Sequence, residues 1–151
     1  MEMSSRSTIF WTVVSIIFFT FFHKYIAWYT TVADGSVTRL PMLTDEYFIW
    51  LPIAITASIL AIVAYTVMFF YNEYRLRMTV NLIGFIIGIA VVVSLVSIFP
   101  FDFSVIPNAT ATNVVPIAVR VFLSLQAIFY VIVALYTFIK LRRYITKQET
   151  G

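Results

Sequence analysis

Cysteine is absent from this chain and histidine occurs once. The first absence excludes disulfides, thiolate nucleophiles, iron–sulfur clusters and cysteine-held zinc. The second excludes a bis-histidine haem and any histidine-rich metal site built from one chain. Charge is scarce too: 11% of residues are Asp, Glu, Lys or Arg, against about 25% in soluble domains. With 4 glycines in all, there is no glycine-rich phosphate loop. No catalytic pair of carboxylates falls within a helical run, and His23 alone makes no convincing Ser-His-Asp arrangement. The chain is therefore expected to be non-catalytic, with no cofactor and no metal.

What is abundant is apolar surface. Hydrophobic residues make up 62% of the 151 positions. A soluble domain of this size buries only about 60–70% of the surface its unfolded chain exposes, so water cannot be the main solvent. Four apolar runs stand between short polar breaks, at about residues 9–30, 47–71, 80–99 and 114–139. Each reaches the roughly 20 residues that carry a helix across a hydrocarbon core of about 30 Å. Lipid forces each backbone amide to pair within its own segment, which tolerates the many Ile and Val residues. The expected fold is all-α: one domain over 1–151, a polytopic membrane protein built as a bundle of four transmembrane helices.

Boundary residues agree. Pro52 and Pro116 fit the first turns of the second and fourth helices, and Pro100 ends the third. Trp28, Tyr29, Tyr47 and Trp50 resemble an aromatic belt at one face, and Tyr71, Tyr74 and Tyr144 one at the other. Arg6 precedes an apolar run and Thr31-Val32-Ala33 loosely matches a cleavage site, yet the run reads as a true first helix.

Seven of the ten basic residues flank one side: Arg6, Arg75, Arg77, Lys140, Arg142, Arg143 and Lys147. The positive-inside rule puts that side, with both termini, in the cytoplasm of a multi-pass cell-membrane protein. The same rule accounts for the net charge of +3, so no nucleic-acid partner is expected. Asn108-Ala109-Thr110 is then a glycosylation sequon in an outer loop.

Short motifs recur. Arg6-Ser7-Thr8-Ile9 matches Arg77-Met78-Thr79-Val80, and Pro52-Ile53-Ala54-Ile55 matches Pro116-Ile117-Ala118-Val119. They suggest two duplicated helical hairpins related by an axis along the membrane normal.

Lipid offers no hydrophobic force between helices, so small and weakly polar faces turn inward. The first helix groups Thr12, Ser15, Thr20, His23, Ala27 and Thr30 on one face; the second groups Ala54, Ala57, Ser58, Ala61 and Ala64. The third carries Gly84-x-x-x-Gly88, and the fourth Arg120, Ser124, Ala127, Tyr130 and Ala134. Gly84, Gly88, Ala54, Ala57 and Ala61 are the candidate helix-packing interface, within the monomer or toward a partner.

Ionisable groups in lipid cost about 2.5–3.5 kcal/mol on insertion scales. His23, Lys24, Asp102 and Arg120 share one depth near the outer surface and form a candidate polar cluster. Its simplest role is structural: the cations snorkel or pair with Asp102. The functional alternative is an outward pocket for an anion, a lipid headgroup or an ion. Two functions are expected from these features. The first is a small non-catalytic subunit or scaffold of a homo- or hetero-oligomeric membrane complex, with lipids, itself or other membrane subunits as partners. The second is an oligomeric channel or small-solute transporter with the polar cluster at its mouth.

Overall fold

The computed structural model describes residues 5–32, 35–71 and 73–149. The Arg6 side chain, and Ala33 of the cleavage-like tripeptide, lie outside the described residues. Four helices long and apolar enough to cross a membrane account for most of the chain. The first begins as α1 (Ser5–Ile17), widens into a π-helical turn over Phe18–Phe22 and tightens into a 3-10 turn over His23–Tyr25. The others are α2 (Tyr47–Phe70), α3 (Tyr74–Ile98) and α4 (Ala109–Glu149).

Two expectations need correction. The fold is not all-α, because the first helix stops at Tyr25 rather than at residue 30. Ala27–Thr31 is strand β1, paired antiparallel with β2 (Val37–Pro41) in the register Trp28↔Leu40 and Tyr29↔Arg39. Trp28, Tyr29, Ala27 and Thr30 therefore lie on a strand. The physical reason is legible afterwards: Asp34-Gly35 stands between two runs rich in β-branched and aromatic residues, a strong short-range hairpin signal. Gly35 takes φ 83°, donates its N–H to Val32 O at 2.9 Å, and is followed by Ser36, whose carbonyl accepts from Val32 N–H at 2.8 Å. The ladder continues to the helix end through Met42 N–H and Ile26 O at 3.2 Å.

The second correction concerns helix limits. α3 starts six residues earlier than expected, and α4 overruns the run 114–139 at both ends. Pro52 and Pro116 consequently sit inside their helices, past the first turn. Each removes one amide donor and frees the carbonyl four residues back, on Phe48 and Thr112. Asn108 explains the early start of α4. Its Oδ1 accepts from Thr110 N–H at 2.9 Å and Ala111 N–H at 3.2 Å, an N-cap that satisfies two of the orphan donors. Phe99, in the left-handed region at φ 45°, caps α3 by donating its N–H to Leu95 O, and Pro100 follows as expected.

Packing follows chain order: α1 on α2, α2 on α3, and most extensively α3 on α4. Among the described residues no packing of that extent joins α1 to α4, so the ring of helices stays open on one side. Few residues of the long helices are buried against the rest of the chain, four of 24 in α2 and two of 25 in α3, while Phe70 is 73% and Phe122 67% exposed. In water such a surface would be an aggregation site; in lipid it is the expected outer face.

The turn at Gly35 yields a test. Gly35→Val forces a β-branched residue into left-handed backbone, a cost of about 1–2 kcal/mol. Hydrogen exchange should speed up across 27–41 while α2 and α3 keep their protection.

Candidate functional site

The site is built at the end of the bundle where the hairpin lies. Tyr47 and Trp50, on the first turn of α2, are 3% and 4% exposed and, with Ala54, form the one cluster of deeply buried side chains among the described residues. Phe19, Leu43, Val91, Leu95 and Ile98 pack around them. Tyr47 Oη donates to Phe19 O at 2.6 Å, and Trp50 Nε1 donates to Val91 O at 3.3 Å. The first bond has a local cause. A π turn disturbs the regular i→i−4 ladder, and Tyr47 serves a carbonyl inside it. Thr20 Oγ1, one residue on, is buried with no hydrogen-bond partner among the described residues.

His23 lies on the same hub. Its ring stacks on Tyr47 at 5.1 Å and meets the edge of Phe48 at 5.6 Å. Nδ1 lies 2.9 Å from Thr20 O, and since a carbonyl only accepts, Nδ1 carries the proton. The imidazole is thus oriented by its own helix and held against α2.

The loops close this end with strand-like pairing. Leu43 bridges Phe101, Thr44 N–H donates to Pro100 O at 3.1 Å, and Asp102 N–H donates to Met42 O at 2.8 Å. Phe99, Phe101 and Phe103 form a mutual ring cluster at 5.5–6.3 Å, above a fully buried Pro100.

The four residues of the candidate polar cluster reach this end but take different partners. Arg120 lays its guanidinium over the Phe99 ring at 4.2 Å. Lys24 and Arg39 both approach the Tyr25 ring, at 5.5 and 5.9 Å. Asp102 Oδ1 accepts from Ser104 N–H at 2.9 Å, and Ser104, through its side chain first and its amide second, holds this carboxyl below its usual range. His23 keeps to Thr20 and Tyr47. Among the described residues no ion pair joins any two of the four. The cations here lie over aromatic faces, whose quadrupoles attract them without cancelling their charge. Arg39 and Phe99 belong to this arrangement and were not in the candidate set. The strand register could have found Arg39; the ring platform under Arg120 has no signal in spacing alone. Groups of three or more metal-ligating side chains are likewise missing among the described residues.

The five candidate packing residues, in contrast, converge. Ala54, Ala57, Ala61, Gly84 and Gly88 all line one cleft of about 530 Å³ that lies among the four helices. Its α1 wall carries Thr12 and Ser15, each hydroxyl donating to its own helix at Thr8 O and Trp11 O. Its α4 wall carries Leu123, Gln126 and Tyr130. Tyr130 packs over Gly88, where an added Cβ would lie 3.4 Å from the ring, and Tyr65 Oη would lie 3.8 Å from a Cβ at Gly84. The inward face of α4 is thus Leu123, Tyr130, Ala134 and Thr137, while Arg120 and Ser124 face outward.

Comparison with protein-family models, with curated proteins and with solved structures gave no match.

Tyr47→Phe keeps the ring and removes the donor to Phe19 O. The orphaned carbonyl should cost about 1–3 kcal/mol, read as a lower unfolding midpoint in detergent. For Asp102 the sign is that of a lowered carboxylate. Its contribution is present above the ordinary carboxylate range and is lost as pH falls through its depressed value. The protection factor of the Ser104 amide, its exchange rate relative to the intrinsic rate at the same pH, should fall on acidification, and Asp102→Asn should flatten that dependence.

Proposed function

We propose that this protein is a small non-catalytic integral membrane subunit that packs into a homo- or hetero-oligomeric complex. It crosses the bilayer four times as two helical hairpins of one orientation, α1–α2 and α3–α4, with both termini in the cytoplasm. The observation that carries the reading is the unclosed side of the bundle. Between α1 and α4 a cleft lined by Ala54, Ala57, Ala61, Gly84 and Gly88 stays open. Small residues let backbones approach closely, and dispersion and shape do the work that water does elsewhere. A transmembrane helix from a second copy or another subunit is the occupant such a wall suits.

The orientation rests on charge. Arg75, Arg77, Lys140, Arg142, Arg143 and Lys147 gather at the end opposite the hairpin. A channel or small-solute transporter assembled from several copies is the second reading. Its proposed mouth, His23, Lys24, Asp102 and Arg120, has weaker support because the four side chains turn to separate partners.

Two measurements test the first reading. The intact particle in mild detergent should weigh more than one 17.3 kDa chain. Ala57→Phe with Ala61→Phe, which fills the cleft, should reduce it to the single chain while leaving helical content unchanged. A wild-type particle of one chain alone would count decisively against the proposal. For topology, the cysteine-free chain needs no background removal. An impermeant thiol reagent applied outside cells should label Thr38→Cys and leave Lys147→Cys unlabelled.

A further inference from the structure

We propose that the cytoplasmic end of α3 and α4 is a binding site for an anionic phospholipid, with phosphatidylglycerol as its simplest ligand. The inference rests on the membrane-spanning reading above but not on the partner cleft, which lies elsewhere among the four helices.

α4 has 41 residues and so runs about 61 Å, twice a hydrocarbon core of about 30 Å. Its apolar run ends near Ile139, and the helix continues as Lys140-Leu141-Arg142-Arg143-Tyr144-Ile145-Thr146-Lys147. From Lys140 to Lys147 is about 10 Å along the axis. The headgroup layer is about 5–8 Å thick on each side. The helix therefore carries its cations through the depth where lipid phosphates sit.

The second element is what stands beside it. The Tyr74 and Tyr144 rings meet at 4.7 Å, and Lys140 Nζ lies 5.9 Å over Tyr74. This contact holds the start of α3, with Arg75 and Arg77, alongside the last turns of α4. Glu73 is the one acidic side chain described at this end. Among the described side chains Arg142, Arg143 and Lys147 alone outnumber it, and the cytoplasmic leaflet supplies the complement.

The third element is shape. A shallow surface concavity of about 660 Å³ lies along this part of α4, lined by Phe138 and Ile139 together with Lys140, Arg142, Arg143 and Lys147, all on that one helix. Arg142, Arg143 and Lys147 are exposed, so their donors are presented to a ligand. A phosphodiester has two non-bridging oxygens, which match the fork of a guanidinium. An acyl chain extends from it toward the core, against Phe138 and Ile139. A soluble phosphate would use the cations and leave the rings idle. A phosphatidylcholine would bring the same phosphate with a choline cation that the cluster repels.

The test is native mass spectrometry of the delipidated intact particle titrated with phosphatidylglycerol or phosphatidylcholine. Phosphatidylglycerol should bind at least tenfold more tightly. Arg142→Gln, Arg143→Gln and Lys147→Gln together should abolish that preference, since each basic residue at an anionic surface is worth about fivefold. Lys24→Gln with Arg39→Gln, at the other end, should leave it intact, as should Ala57→Phe with Ala61→Phe. Equal retention of the two lipids, or a preference that survives loss of the three cations, would overturn the proposal. So would displacement of bound lipid by millimolar glycerol phosphate, which would assign the cations to a soluble anion. A triple variant with unchanged lipid preference that instead lost copurifying chains would assign them to an acidic partner protein.

Discussion

Four helices long and apolar enough to cross a membrane must pair their backbone amides within themselves to do so, and that constraint orders the rest of this molecule. The spans are helical because helices pair their amides internally. Where the first helix widens, the disturbed ladder lies near the hairpin end and is served from outside its own segment. In the π turn at Phe18–Phe22, Tyr47, on the next helix, donates its hydroxyl to Phe19 O. Trp50 Nε1 reaches Val91 O on α3, a carbonyl within an unbroken helix that also accepts from Ser94 Oγ. These two side chains tie α1, α2 and α3 at one end, and around them the chain leaves helix for the hairpin and for the paired stretches 42–44 and 100–102.

Away from that hub the helices hold one another lightly. Their bulky side chains face outward and their small ones face a shared cleft, the inverse of a soluble core. Such an arrangement binds helices by shape alone, and the open α1–α4 side is where the shape is unfinished. The cations obey the same economy of solvent. At the hairpin end Arg120 and Lys24 rest on the rings of Phe99 and Tyr25, while at the other end Lys140 rests on Tyr74 and Arg142, Arg143 and Lys147 are exposed.

Much of this was legible in the residues. Length and hydropathy located four helices, because crossing lipid demands a long uninterrupted apolar run. The spacing of Ala54, Ala57, Ala61, Gly84 and Gly88 marked residues that converge on one cleft. The hairpin was not read, because Trp28, Tyr29 and Thr30 continue the apolar run without a break; the Asp34-Gly35 turn beyond them was the overlooked signal. The limits of α4 were missed because its polar ends, which begin at Asn108 and finish beyond Lys147, carry helix propensity and a cap but no hydropathy.

By itself the sequence determined the number of long apolar helices and the unequal sharing of charge between their ends. These are sums over many residues, and a sum is insensitive to where each side chain points. Tertiary structure alone decided that His23 stacks on Tyr47, that Arg120 takes a ring instead of Asp102, and that α1 and α4 leave a side unclosed. Those outcomes depend on the rotation of each helix and on one widened turn in the first. A single added residue there re-aims every side chain that follows, which no count of residues records.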